Sequence, residues 1–240
     1  MYFDSIRCIS LKDRVDRRKT ANKLFKQLQW DVEYYIAERH QKGGVYGCFD
    51  SHIKVIQSAY NDGVENLLVL EDDIVLSRYF TQKQFNHITY FLKNSDWDVF
   101  YFGYAPVDLS DRYLSIFTAP KVSEHIIQFA PLCTHAYGIN RKTMKKLLDT
   151  YHSYIDTKAY DNFLADLPLK SFASIPLLFD QKWSSESNNG STGPLDTFCR
   201  KFQSLAETTE IFQHISWIRY RQKYLIYLLL LFLVVTYHRK

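Results

Sequence analysis

Residues 67–76 read Leu67-Leu-Val-Leu-Glu71-Asp72-Asp73-Ile-Val-Leu76. Four apolar residues, bounded by Asn66 on one side and three carboxylates on the other, have the length and composition of a strand buried on both faces. Upstream, residues 5–11 (SIRCISL) alternate as a first strand, residues 14–29 carry apolar side chains at helical spacing, and residues 31–36 (DVEYYI) read as a second strand. A loop with Gly43, Gly44 and Gly47 then opens a helix running through Ser51, His52, Ile56 and Tyr60. Downstream, residues 80–92 have helical spacing and residues 97–102 (WDVFYF) form another strand. Strands alternating with helices predict an α/β sandwich with a mostly parallel sheet, whose ligands sit at the carboxyl ends of the strands. The acidic triplet falls at that edge.

Beyond residue 113 the pattern changes to short β segments broken at Pro120 and Pro131. Asn140 is suited to cap a helix reaching residue 148, and a further helix is predicted over residues 159–167. Residues 184–194 (SSESNNGSTGP) are polar and contain Gly, so they read as a loop rather than a core element. A domain over residues 1–206 is expected, followed by a C-terminal helical appendage over 207–240. Within it, residues 224–237 (YLIYLLLLFLVVTY) carry no charge and are flanked by Arg219, Arg221 and Lys223 before and His238, Arg239 and Lys240 after. Such a run is short for a hydrocarbon slab of about 30 Å, so its flanking cations would have to snorkel. It is read as a short tail anchor or a deeply seated interfacial helix, the alternative being a buried C-terminal helix. The chain enters its first strand with no basic and apolar leader ahead of it, so a membrane-associated protein with a cytosolic catalytic domain is expected.

The chain has 240 residues, and 30 Lys+Arg against 26 Asp+Glu leave a net charge of +4, too mild to suggest a nucleic-acid partner. Only 8 Gly and 6 Pro exclude a collagen-like or low-complexity chain, and 46% hydrophobic residues allow a full core. The 18 Tyr, 17 Phe and 4 Trp suit the flat faces of sugars as well as ordinary core filling. Cys8, Cys48, Cys133 and Cys199 have neither CxxC nor zinc-finger spacing and read as buried, reduced thiols.

Three carboxylates within one turn repel one another. A divalent cation keeps them ionised, and their oxygen ligands suit Mg²⁺ or Mn²⁺; the alternative is a solvated acidic turn. Arg14, Arg17 and Arg18 follow the first strand, where a strand-to-helix turn presents N–H groups and guanidinium groups suit a pyrophosphate. The alternative is a solvated basic face partnered by Asp13 and Asp16. His52 and His135 are candidates for the same edge, although a lone His is more often structural. Asp161, at a helix start, is a candidate general base or an N-cap.

In order, ISLKDRVDRR, GCFDSH, LLVLEDDIVL, THAYGINRKTMKKLL, YIDTKAYDNFL and PLLFDQKWSS resemble the family 25 glycosyltransferases. That family includes bacterial lipooligosaccharide galactosyltransferases and collagen hydroxylysine galactosyltransferases, with similar enzymes in large DNA viruses. The resemblance spans roughly residues 5–185 and implies the Rossmann-like GT-A fold, with a DxD-type motif holding Mn²⁺ (or Mg²⁺) against the diphosphate of a UDP-sugar donor. Glu71, Asp72 and Asp73 occupy the place of that motif, with Asp73 the implied direct ligand and Glu71 orienting nucleotide or metal. Arg14, Arg17 and Arg18 fall on the basic donor motif, Ser51 and His52 on the SH pair, and His135 and Tyr137 on the HAY element. Gln181, Ser184 and Ser185 match the family's cleft-lining end.

The resemblance further implies inverting transfer of galactose or glucose to a glycan, glycolipid or glycoprotein hydroxyl. Asp161 is the implied general base, with Asp156 second. The collagen enzymes carry a signal peptide and a retrieval sequence that this chain lacks, which argues against a collagen acceptor. Two other readings are an inactive, membrane-tethered carbohydrate-binding protein and a metal-dependent phosphohydrolase or nucleotidyltransferase.

Overall fold

The computed structural model describes residues 2–106, 115–182 and 212–222. In chain order the elements are β1 (Ser5–Leu11), α1 (Val15–Leu28), β2 (Glu33–Ala37), α2 (Gly44–Asn61), β3 (Asn66–Glu71) and β4 (Ile74–Leu76). They continue with α3 (Gln82–Asn94), β5 (Val99–Ala105), the short α4 (Ser115–Thr118), β6 (Lys121–Ser123), β7 (Ile126–Gln128) and β8 (Leu132–Asn140). Then come α5 (Arg141–Thr150), α6 (Tyr160–Asp166), β9 (Ser171–Ser174), β10 (Phe179–Gln181) and a last helix, α7, over 212–222.

Eight strands form one sheet in the order β2-β1-β3-β8-β5-β9-β7-β6, and β10 pairs with β4 in a separate ribbon. Parallel pairing, expected from the strand–helix alternation, holds for β2-β1-β3 and for β5-β9. The sheet as a whole is mixed, because β8 runs antiparallel between β3 and β5, and β7 and β6 continue antiparallel beyond β9. Among the described residues the chain between β5 and β8 holds only the one-turn α4 and the short strands β6 and β7, and an antiparallel strand needs no long crossover. The result is a mixed α/β architecture compatible with a Rossmann-like fold.

Period-two alternation sorts the strands into two cores. Leu67 and Val69 of β3, Val99 and Tyr101 of β5, and Tyr137 and Ile139 of β8 pack with α2, α5 and α6. Leu68, Leu70, Phe100, Phe102 and Ala136 face the opposite layer with Ile6, Cys8, α1 and α3. The helix ends follow local chemistry: the Asn140 side chain accepts from Thr143 N (2.9 Å), as its position predicts, and Thr81 accepts from Gln84 N (3.1 Å).

Helix α7 is stitched to this body. Phe212, Gln213 and Ser216 are buried; Gln213 Oε1 accepts from Arg78 N (2.8 Å), and Ser216 Oγ accepts from Leu177 N (2.9 Å). The Arg219 guanidinium donates to the carbonyls of Ile116 and Ala119, each at 2.7 Å. No helix among the described residues is long and apolar enough to cross a membrane. The apolar run 224–237 and the loop 184–194 lie outside the described residues.

Candidate active site at the carboxyl edge of the sheet

The same alternation that builds the two cores splits the acidic triplet. Glu71 continues the series Leu67, Val69 and falls on the α2 side, whereas the next residue, Asp72, turns to the α1 side. On the α1 side Ser10, in phase with Ile6 and Cys8, donates its hydroxyl to Asp72 Oδ2 at 2.6 Å. Arg17, in the first turn of α1, donates from Nη1 to Asp73 Oδ2 (2.8 Å) and Asp72 Oδ1 (3.3 Å). Arg18 secures the β1–α1 turn, donating to Ser10 Oγ (2.8 Å), to the Lys12 carbonyl (2.8 Å) and to the Leu11 carbonyl. Arg14 lies along the helix start and pairs with Asp16 at 3.1 Å. The two readings of the arginine cluster therefore divide: Arg14 has the partner of a basic helix face, whereas Arg17 reaches across to the acidic turn.

On the α2 side, His52 Nε2 lies 3.6 Å from Glu71 Oε1. The other ring nitrogen, Nδ1, bonds the Tyr137 hydroxyl at 3.0 Å, and that hydroxyl bonds Tyr160 at 2.9 Å. Tyr160 also stacks on the imidazole, with centroids 4.2 Å apart and planes within 3°. The antiparallel course of β8 brings Tyr137 and His135 here, because it turns the strand's amino end toward the carboxyl ends of β3 and β5. Buried His135 sits with Nε2 3.4 Å from the Phe179 carbonyl, and burial lowers its pKa to about 4, so the ring is neutral. A Cβ on Gly103 would lie 2.3 Å from that Nε2 and 2.7 Å from the same carbonyl. Glycine is therefore required where β5 bulges past β8.

The carboxylates are electrostatically unequal. Burial pushes the Glu71 carboxyl up, but His52, His135 and Arg17 together outweigh it and leave Glu71 below its ordinary value. Burial, followed by repulsion from Glu71, raises Asp73 to about 7, even though Arg17 pulls it down. Asp73 Oδ1 is buried with no hydrogen-bond partner. An all-oxygen donor pair, one atom of it buried and unpartnered, fits a hard divalent cation held by Asp73 and Glu71.

The structure treats the two candidate bases differently. Asp161 lies in the first turn of α6, where Ala159 rather than Asp161 is the N-cap. Its Oδ2 accepts from Cys133 N (3.1 Å) and its Oδ1 from Asn162 N (2.8 Å). Cys133 has a φ of +65°, a left-handed conformation that is costly for a residue with a side chain, so Asp161 also steadies a strained backbone. Through Cys133, two residues before His135 at the amino end of β8, Asp161 is tied to the strand end that lies at the carboxyl edge of the sheet. Asp156, by contrast, is exposed and paired with Lys42 Nζ at 2.7 Å.

Ser51 does not join the polar cluster; its hydroxyl donates back to the Gly47 carbonyl at 2.6 Å within α2. The backbone of Gln181 pairs with Ile74, and Lys182 N donates to the Asp73 carbonyl (2.7 Å), so β10 clamps the acidic turn. Ser184 and Ser185 lie outside the described residues. Sequence reasoning missed Ser10, Cys48, Tyr160 and Asp180. Ser10 was detectable from its phase in β1 and Cys48 from its four-residue spacing to His52; Tyr160 and Asp180 carried no such signal. Asp180 is fully buried, and burial raises it to about 7.

Among solved structures the chain is similar to A197 from STIV, with 15% identity over 75% of this chain and 86% of that one and a TM-score of 0.48. It is also similar to a glycosyltransferase involved in the glycosylation of the major capsid of PBCV-1, with 16% identity, 66% and 72% coverage and a TM-score of 0.38. At these scores the overlap is partial. A search of curated proteins finds no match. Residues 38–164, more than half of the chain, match the profile of glycosyltransferase family 25 (LPS biosynthesis protein), and they carry the SH pair, the acidic turn, the HAY element and Asp161. The chain belongs to glycosyltransferase family 25.

Proposed function

We propose that the chain transfers a hexose, galactose or glucose, from a UDP-sugar to a hydroxyl of a glycan carried on lipid or protein, with inversion at the anomeric carbon. The observation that carries this reading is the bridge from Arg17 to Asp72 and Asp73, which joins a guanidinium suited to phosphate to carboxylates suited to a cation at one edge of the sheet. Asp73 and Glu71 would hold Mn²⁺ or Mg²⁺. When bound, the cation supplies neutralisation of the charge that grows on departing UDP.

This chain's own residues account for the remaining steps. Arg17 exchanges aspartate oxygens for diphosphate oxygens as the donor arrives, while Arg14 and Arg18 shape the helix start around it. His52, held by Tyr137 and Tyr160, orients Glu71. Asp161 takes the proton of the acceptor hydroxyl as the acceptor oxygen bonds to the anomeric carbon and the bond from that carbon to UDP breaks. The hydrogen bond that ties Asp161 to β8 at the carboxyl edge, against the surface pairing of Asp156 with Lys42, supports Asp161 over Asp156 as the base.

The test is UDP release from a panel of UDP-sugars with Mn²⁺, then with chelator, in the presence of candidate acceptor glycans. Release from one donor, lost on chelation and in Asp73→Asn, is the expected result. Donor binding with no release under any condition would favour the carbohydrate-binding reading instead. Asp161→Asn should keep donor affinity and lose roughly 10²–10⁴ in kcat. A wild-type kcat would remove Asp161 as the base.

A further inference from the structure

Helix α2 carries Cys48 and His52 four residues apart, so both side chains project from one face of the helix. That face meets the end of β3, where a sulfur of Cys48, a ring nitrogen of His52 and a carboxylate oxygen of Glu71 all lie within 4.8 Å of one another. The His52 ring is gripped from behind by the Tyr137 hydroxyl on Nδ1 and by the face of Tyr160. Its Nε2 is left pointing at Glu71 across 3.6 Å, longer than a hydrogen bond, in a residue only 1% exposed. Metal-binding histidines are typically held this way, with the second nitrogen fixed by a hydrogen bond that sets the tautomer and aims the first.

We propose that Cys48, His52 and Glu71 form a binding site for a thiophilic divalent cation of the Zn²⁺ class, with three protein ligands and an open fourth position. One sulfur, one nitrogen and one oxygen are a donor set for Zn²⁺, whereas Mn²⁺ and Mg²⁺ prefer oxygen alone. As the sulfur–metal bond forms, the Cys48 thiol proton passes to solvent. The site differs in metal from the oxygen-donor pair of Asp73 and Glu71 but shares Glu71 with it. A thiophilic ion bound here therefore draws Glu71 away from the donor. The binding claim itself does not depend on the transfer reading.

Co²⁺ added to the full chain tests it, because a thiolate ligand gives a sulfur-to-cobalt charge-transfer band in the near ultraviolet. The expected result is that band, with visible absorption of four-coordinate cobalt, both bleached when Zn²⁺ displaces Co²⁺. Cys48→Ser and, as a second variant, Cys48→Ala should lose the charge-transfer band while keeping the far-ultraviolet circular dichroism of the parent. Cys133→Ser should retain the band. Tyr137→Phe, which removes the support on Nδ1, should weaken Co²⁺ binding by about 10-fold. No charge-transfer band in the parent, or an undiminished band in both Cys48 variants, would overturn the proposal. Mn²⁺-dependent donor binding is measured separately in the parent with no Co²⁺ or Zn²⁺ present, so failure here and failure of the transferase reading are read separately.

Discussion

The two edges of the sheet both carry buried carboxylates, and they treat them in opposite ways. At the amino edge, Asp98 precedes β5 and is closed in on itself: Oδ2 accepts from Lys170 N (2.9 Å) and Oδ1 from Thr143 Oγ1 (3.3 Å). Beside it, Asn140 caps α5, and Asp4 accepts from Asn66 N at 2.8 Å. At the carboxyl edge, Asp73 Oδ1, His135 Nδ1, Asp180 Oδ2 and His52 Nε2 are buried without hydrogen-bond partners. A buried polar atom without a partner costs about 1–3 kcal/mol, so the carboxyl edge carries a local penalty that the amino edge avoids. The amino edge is structure; the carboxyl edge stores polar capacity.

Breaking the carboxyl edge should show the largest effect. Arg17→Ala strips the cation from two nearly buried aspartates and should cost about 3–5 kcal/mol of stability in denaturant unfolding, together with donor binding. Unfolding indistinguishable from the parent would mean that the pair is screened and that the contrast between the edges is weaker than drawn.

The next effect is a pH slope. Asp180 has a folded value of about 7 against an ordinary value of 3.8, so between those pH values the folded chain keeps a proton that the unfolded chain has lost. Stability from this group should therefore fall as pH rises through that window, by a few kcal/mol at most at about 1.4 kcal/mol per pKa unit; Asp73, also raised to about 7, adds a fall of the same sign, and His135, lowered from 6.5 to about 4, adds an opposing rise. Relative to the parent, Asp180→Asn should remove the Asp180 share of that fall, as read from the difference between urea midpoints at pH 4.5 and pH 7.5 (~3 pH units apart). The same slope in both proteins would place its origin elsewhere.

A smaller effect is expected at the amino edge. Asp98→Ala removes the acceptor for Lys170 N and Thr143 Oγ1 and should cost about 2 kcal/mol while leaving donor affinity unchanged. A change in donor affinity there would show that the two edges are coupled through β5.

Much of the fold was legible because strands and helices announce themselves by period. Residues 5–11 and the apolar run before Glu71 became β1 and β3 within a residue of their expected limits, and Asn140 capped its helix. The orientation of β8 was not legible, since an apolar strand reads the same in either direction and only its partners decide. That orientation is what brings His135 and Tyr137 to the acidic turn. The resemblance put Asp161 first and Asp156 second as the base. The structure adds a Lys42 partner for Asp156 and a hydrogen bond from Cys133 N for Asp161, neither of which is readable along the chain.

By itself the sequence determined the strand–helix order, the acidic turn at a strand end and the basic residues at a helix start, because these depend on spacing along the chain. The tertiary structure decided which arginine meets which carboxylate, that Glu71 belongs to α2 and Asp72 to α1, and that Cys48 and His52 converge on the same glutamate. Those are facts of through-space packing, and residues 19 to 55 apart acquire them only when the sheet has closed.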